Sequence, residues 1–334
     1  MKPFDQLTYQ GKLRRIRVLA NDILSQYPIK VDRLELIGDY TNTLYRVRTS
    51  DGQQYALRVA RPGWRDIAAA ESEVLWLDAL AADTDIPVPK IIRNKANNGV
   101  VIGQLDGLPE PRHAMLMTWQ PGIVLGKRLT ETNLEKMGAL FAQLHLHSAG
   151  WQLPQGFREN CYDHIFAQGE KDVLFADEHL SAYTPSGLKT LRQMYERVQA
   201  AYEYLTADDL QVIHADLWHD NIKVHQGILY PFDFEDTIRG YRIYDIATAM
   251  LDLYEVMDLA RYERLLAAFR RGYEQNLAWP DGDLVLFQIG NILKRINYIA
   301  RFETKWLAGD AAFYGDLFER YLTHGKLIPP LRPG

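Results

Sequence analysis

The segment Val212-Ile213-His214-Ala215-Asp216-Leu217-Trp218-His219-Asp220-Asn221 sets a carboxylate five residues ahead of a side-chain amide, directly after an apolar run. A second carboxylate, Asp233, follows Asn221 by twelve residues, behind the apolar run Ile228 to Phe232. A carboxylate can orient or deprotonate an attacking hydroxyl, and carboxylate and amide oxygens are hard donors of the kind a magnesium ion takes together with nucleotide phosphates. Two aspartates and an asparagine match the need, without spacing alone dividing the roles. Phosphoryl transfer needs this set, because its catalysis is positioning and charge stabilisation with little covalent chemistry. An isolated HxD or DxD is usually a surface turn or cap; the ordered combination carries the reading. His219 has no partner at metal-ligand spacing and is set aside from catalysis.

The elements that position these residues are short strands, Gln211 to Ile213, Ile222 to Val224 and Ile228 to Phe232, interrupting a helical half. A hairpin of such strands would bring Asp216, Asn221 and Asp233 to one end. Helices are expected at Glu131 to His147, Pro185 to Leu205, Tyr241 to Leu253, Leu259 to Asn276 and Asp281 to Lys305. Upstream, Leu13, Ile16, Leu19, Ile23 and Leu24 predict a helix from about Asp5 to Ser25, stopped by Pro28. Three antiparallel strands follow, Leu34 to Ile37, Leu44 to Thr49 and Gln54 to Val59, the last two joined at Asp51-Gly52 as a type I′ turn. Ile67 to Leu80 is an amphipathic helix headed by Asp66. A strand from Lys90 to Arg93, a hairpin turn at Asn98-Gly99 and a buried strand from His113 to Trp119 complete this half.

Composition narrows the class. With 47% hydrophobic and 24% charged residues, the 334-residue chain is that of an ordinary globular enzyme with room for two cores. A net charge of -5 gives no basic footprint, so nucleic acid is not an expected partner. The single Cys161 can form neither an intramolecular disulfide nor a cysteine zinc site, which suits a reduced cytoplasm. No run approaches the roughly 20 apolar residues of a membrane span, and Met1 to Ala20 lacks a signal-peptide core, so no membrane association is expected.

His214-Ala215-Asp216 through Asn221, followed by Asp233-Phe234-Glu235, resembles the catalytic-loop and metal-binding motifs of the aminoglycoside phosphotransferase and choline kinase superfamily, relatives of protein kinases. Asp233 to Asp245 is similar to the bacterial subgroup of homoserine-kinase-like enzymes and the stress-response kinase. The resemblance implies an α+β, protein-kinase-like bilobal fold, with a small antiparallel β-sheet lobe plus a larger mainly helical lobe. Its divisions would be a helical extension over 1–30, a nucleotide-binding lobe over 31–119 and a catalytic and acceptor-binding lobe over 120–334. It implies ATP and Mg2+ as cosubstrate and metal, Asp216 as catalytic base, and Asn221 and Asp233 as metal ligands. Asp245 would brace the catalytic loop, and His214 would shape it.

The same resemblance assigns the nucleotide half. Arg58 stands where kinases usually carry a phosphate-binding lysine, a departure that arginine's fork can serve. Glu73 is its expected partner on the following helix, with Glu71 as the alternative. Gly38 to Thr43, with Thr41 and Asn42, would lie over the phosphates as a loop, although it is neither GxGxxG nor a Walker loop. Met117 and Trp119 fall on the strand that would face adenine.

The acceptor is less defined. The lysine two residues after the base in typical serine/threonine kinases is replaced by Trp218, no A-P-E segment occurs, and few residues separate Asp233 from Asp245. These favour a small-molecule hydroxyl acceptor, such as an amino alcohol, an amino acid or an aminoglycoside. A protein kinase of the stress-response type and a non-catalytic nucleotide-binding module are the alternatives. Glu235, Asp236, Asp252 and Glu255 could suit an amine on the acceptor, and the segment from Trp151 to Leu180 could close over it. Oligomeric state is left open.

Overall fold

A computed structural model describes residues 2–158 and 160–327. The chain divides into two compact units. One comprises Met1–Gly122, Gln152–Arg158 and Tyr230–Glu235; the other comprises Ile123–Trp151, Glu159–Leu229 and Asp236–Gly334.

In the first unit, helix α1 (Tyr9–Ser25) starts where the Thr8 hydroxyl accepts from the Gly11 amide, four residues later than the apolar spacing suggested. Strands β1 (Val31–Asp39), β2 (Asn42–Thr49) and β3 (Gln54–Ala60) form the expected antiparallel meander. Helix α2 (Ile67–Asp83) follows, its N-cap Asp66 accepting from the Ala69 amide at 2.9 Å. Strands β4 (Ile91–Ile92), β5 (Val100–Gly103) and β6 (Arg112–Thr118) close the sheet in the order β1-β2-β3-β6-β4, with β5 also on β6.

Strand alternation on β6 divides the core. Ala114 and Leu116 join Leu57 and Val59 in a cluster with Leu19, Ile23 and Tyr27 around α1, while Met115 and Met117 pack with Ala70 and Val74 of α2. Thus the sheet is covered by a helix on each face.

Two turns differ from expectation. At Asp51-Gly52 only Gly52 has positive φ, at 85°, and its amide returns to the Thr49 carbonyl at 2.9 Å. This is a type I turn ending in a left-handed glycine, which needs one residue of positive φ instead of the two of a type I′ turn. Asn98-Gly99 makes no hairpin: the left-handed residue is Asn97, and Asn94 amide to Asn98 carbonyl closes that loop. Because β4 and β5 pair end to end along the same edge of β6, residues 93–99 are an excursion from an interrupted edge strand.

The second unit begins with β7 (Ile123–Val124) and α3 (Glu131–Gly150), followed by β8 (Cys161–Tyr162) and α4 (Pro185–Glu203), which has Thr184 at its cap and Pro185 in its first turn. Then come β9 (Leu210–Ile213), β10 (Ile222–His225), β11 (Ile228–Pro231), which ends in the first unit, and β12 (Ile238–Tyr241). Helices α5 (Arg242–Val256), α6 (Leu259–Glu274), α7 (Leu284–Phe302) and α8 (Leu307–His324) finish it. The side chains of 255 and 256 are outside the described residues. β10 sits between β11 and β7, whereas β9 belongs to another sheet with β8 and β12. The three short strands expected around the motif are therefore shared between two sheets.

α8 was not expected, although Leu307, Ala311, Tyr314, Leu317, Phe318 and Tyr321 repeat at helical spacing and are buried. β12 was hidden too, its Gly240 lying against Ile213 of β9. α3 and α6 meet backbone to backbone: a Cβ on Gly138 would stand 1.9 Å from the Phe269 carbonyl oxygen, and one on Gly272 1.7 Å from that of Glu135. Among the described residues no helix is long and apolar enough to cross a membrane.

Candidate active site

The catalytic-loop residues lie in the second unit. β9 ends at Ile213, and the chain turns sharply through Ala215, whose φ is 65°. An alanine in this region is disfavoured by Cβ contact with the following carbonyl and persists only where neighbours hold it. Here Asp245, in the first turn of α5, accepts the Ala215 amide on Oδ1 at 2.8 Å. Its Oδ2 lies 3.0 Å from Nε2 of His145 on α3, and His145 Nδ1 lies 2.9 Å from the Tyr273 hydroxyl on α6. A carboxylate only accepts, so Nε2 of His145 donates to Asp245. Tyr273 in turn accepts from Arg242 at 3.2 Å, and Arg242 pairs with Asp209. Asp245 and His145 are both buried.

Beyond that turn, Asp216 is half-buried. Its amide donates to His214 Nδ1 at 3.3 Å. Asn221, at the end of a short 3-10 turn over His219–Asn221, donates from Nδ2 to the Asp216 carbonyl at 2.8 Å and to its Oδ2 at 2.9 Å. Asp216 and Asn221 are thus locked together through the Asn221 amide nitrogen.

Arg58, Glu73, Thr41, Asn42, Met117, Trp119 and Asp233 lie in the first unit. Arg58 on β3 is buried and forms an ion pair with the buried Glu73 of α2, while Glu71 is exposed. Asp233 Oδ1 stands 3.4 Å and Glu235 Oε2 3.8 Å from Arg58 Nη1. Asn42 donates to Glu235, Thr41 Oγ1 reaches it at 3.5 Å, and Trp64 Nε1 donates to it at 3.2 Å. Asp233, like Ala215, has positive φ, 65°.

Three carboxylates around one guanidinium leave an excess of negative charge. Burial opposes the Arg58 charge, yet Glu73, Glu235 and Asp233 together hold its pKa above the ordinary arginine value. Loss of water pushes Asp233 above the usual carboxylate range, Arg58 pulls it back, and Glu235 adds to the rise. Burial likewise raises Glu73, against Arg58, and its Oε1 has no hydrogen-bond partner. Such a cluster fits a divalent cation, whose charge would relieve the crowding. Among the described residues, no three histidine, cysteine or carboxylate side chains form a metal cage on their own. Magnesium bound largely through nucleotide phosphates and one or two protein oxygens does not need one.

Of the sequence-assigned residues, Arg58, Glu73, Thr41, Asn42 and Asp233 therefore gather in one cluster, and Asp216 and Asn221 in another. Met117 lies within the sheet, between Ala56 of β3 and Ile91 of β4. The Trp119 amide donates to the Gln54 carbonyl at 3.1 Å, and Arg46 stacks 4.6 Å from its ring. The stretch Gly38 to Thr43 is mostly strand, with only Tyr40 and Thr41 between β1 and β2, and Asp39 accepts from the Thr43 hydroxyl at 2.6 Å.

Two acceptor assignments change. Glu235 faces Asn42, Trp64 and Arg58, and Asp252 pairs with Arg295 at 3.3 Å, so neither carboxylate is free to select an amine. Asp236 is half-buried in the 3-10 turn Phe234–Asp236, and the Glu255 side chain lies outside the described residues. Sequence reasoning missed Trp64 and His145. An indole beside a β3–α2 loop carries no spacing signal, and His145 sits in a stripe that reads as helix core.

The profile of the phosphotransferase enzyme family matches residues 33–282. This chain belongs to that family. The phosphotransferase resembles an amicoumacin kinase solved with AMP-PNP, Ca2+ and Ami, at 17% identity and a TM-score of 0.74, over 97% of this chain and 98% of that one. A microcompartment-associated aminopropanol kinase aligns at 24% identity and a TM-score of 0.71, over 93% and 99% of the two chains. A spectinomycin phosphotransferase solved with ADP and spectinomycin aligns at 12% identity and 0.62, over 90% and 94%. No curated protein sequence matches the phosphotransferase. At these identities the likeness is one of fold, and that fold is the expected α+β, protein-kinase-like one.

Proposed function

We propose that this phosphotransferase moves the γ-phosphoryl group of ATP, with Mg2+, to a hydroxyl of a small molecule, in the cytoplasm. The observation that carries the reading is the carboxylate excess around Arg58, which suits a site completed by a divalent ion and phosphates.

In this reading Arg58 grips the α and β phosphates, and Glu73 fixes its orientation. Thr41 and Asn42, anchored on Glu235, hold the β1–β2 turn in place for the phosphates. Met117 and Trp119 supply the strand end for adenine. Asp216 orients the acceptor hydroxyl and takes its proton as the acceptor oxygen bonds to the γ-phosphorus and the bond to the ADP oxygen breaks. Asp233 and Asn221 would hold the magnesium, which when bound neutralises charge on the phosphate oxygens.

The short path after Asp233 supports a small acceptor. Phe234–Asp236 is a single turn, and β12 runs straight into α5, with no long segment for docking a peptide. An acceptor bearing both an amine and a hydroxyl is the leading class, since the aminopropanol kinase named above has the same fold. Its amine would be recognised by groups other than Glu235 and Asp252.

The test is ADP release with magnesium ATP across amino alcohols, hydroxy amino acids, aminoglycosides and a generic protein acceptor. Turnover on one of the small hydroxyl compounds is expected. Labelled protein without small-molecule turnover, or tight nucleotide binding with no turnover on any acceptor, would count against the proposal.

A further inference from the structure

We infer that a cavity at the head of α2, in the first unit, is a binding site for a small phosphate monoester. It encloses about 420 Å³ and is walled by Arg61, Arg65, Ile67, Ala68, Arg112 and His113, sharing no residue with the Arg58 cluster.

Arg112 is the decisive wall. Its residue is only 7% exposed, and its Nη1 makes one long hydrogen bond, 3.4 Å to the Ala60 carbonyl. Nε has no hydrogen-bond partner, and among the described residues no carboxylate stands within ion-pair distance. A buried guanidinium without a counter-ion is costly, and burial indeed lowers its pKa below the ordinary arginine value. The Phe4 ring 5.8 Å away offers only a weak substitute.

The start of α2 supplies a second, independent set of donors. Asp66 uses its Oδ1 on the Ala69 amide and its carbonyl on the Ala70 amide at 3.2 Å. That leaves the leading amides of Ile67 and Ala68, both in the cavity wall, at the positive end of a 17-residue helix. Two acids also line the cavity. The Asp66 charge is answered by Arg158 at 2.5 Å, and Glu110 is exposed to water. Burial and Arg58 keep His113 toward its neutral form, so it can hydrogen-bond the organic part of a ligand.

The number of donors and the size choose the ligand. Guanidinium forks with two helix amides exceed what the two oxygens of a carboxylate can use, and they match the three terminal oxygens of a phosphate monoester. The volume is larger than a bare phosphate and within the range of small-ligand pockets.

Calorimetric titration with glycerol 3-phosphate, and with inorganic phosphate and glycerol in separate runs, at constant ionic strength and with excess AMP-PNP present, tests the site. Both phosphates should bind, glycerol should not, and Arg61→Ala and Ile67→Pro should each weaken binding at least about fivefold. Proline suits the first position of α2, because Asp66 before it is extended, at φ -86° and ψ 172°. Arg112→Gln should abolish binding, but its burial can cost folding, so the two milder variants decide. No phosphate binding, displacement by AMP-PNP, or unchanged affinity in both Arg61→Ala and Ile67→Pro would overturn the site.

Discussion

The amide of Ala215 donates to the buried carboxylate of Asp245 across 30 residues of sequence, at 2.8 Å. This one bond joins the left-handed step before Asp216 to the chain of His145, Tyr273 and Arg242 behind it. Asp245→Ala strands a buried amide and a histidine donor, each costing about 1–3 kcal/mol. Denaturant titration should show a loss of at least about 2 kcal/mol, with turnover falling further than the folded fraction.

The same geometry makes opposite predictions for two substitutions at Ala215. Glycine relieves the positive φ and should change stability by less than about 1 kcal/mol, relief and lost burial offsetting each other. Valine adds a branched Cβ at φ 65° in a buried position and should destabilise by more than about 2 kcal/mol. Thermal melts of the pair check this, and equal tolerance of both would contradict the account of the turn.

Arg58→Ala should act twice. It leaves the buried Glu73 without its cation, at about 3 kcal/mol of stability, and it removes the proposed phosphate contact. Adding Glu73→Gln should restore most of the stability and none of the nucleotide affinity. A double variant with recovered KM for ATP would contradict the phosphate role.

Cys161 gives a pH-dependent readout. Burial and the neighbouring Asp163, which also hydrogen-bonds it, raise the thiol pKa above its usual value. Since the thiolate is the nucleophile, a raised pKa means less reactive anion at pH 8. Iodoacetamide should modify Cys161 more slowly than free cysteine at pH 8, with the rate still climbing above pH 9. Asp163→Asn should speed it.

Legibility in the sequence followed the range of the forces involved. The apolar stripes of α1 and α2 were readable because such spacing repeats locally, and Asp66 marked the head of α2 because a cap acts within one turn. The Thr8 cap was passed over, and α1 was placed four residues early. The ordered motif singled out Asp216, Asn221 and Asp233 as candidates because their order and spacing are read along the chain. The roles of Glu235 and Asp252 were not readable. Each is set by a partner distant in sequence, Asn42 at 193 residues and Arg295 at 43. β12 escaped because a four-residue strand containing Gly240 has no periodicity of its own, and its pairing with β9 is tertiary. The Asn98-Gly99 turn failed because β6, a later strand, captured β4 and β5 separately.

The most direct test of the central claim is Asp216→Ala, measured for turnover on the best small hydroxyl acceptor and for AMP-PNP affinity in the same buffer. The account predicts a fall in kcat of about a thousandfold with nucleotide Kd changed less than threefold, since Asp216 meets the acceptor and not the nucleotide. Full turnover in the variant, or a loss of nucleotide affinity as large as the loss of turnover, would contradict it.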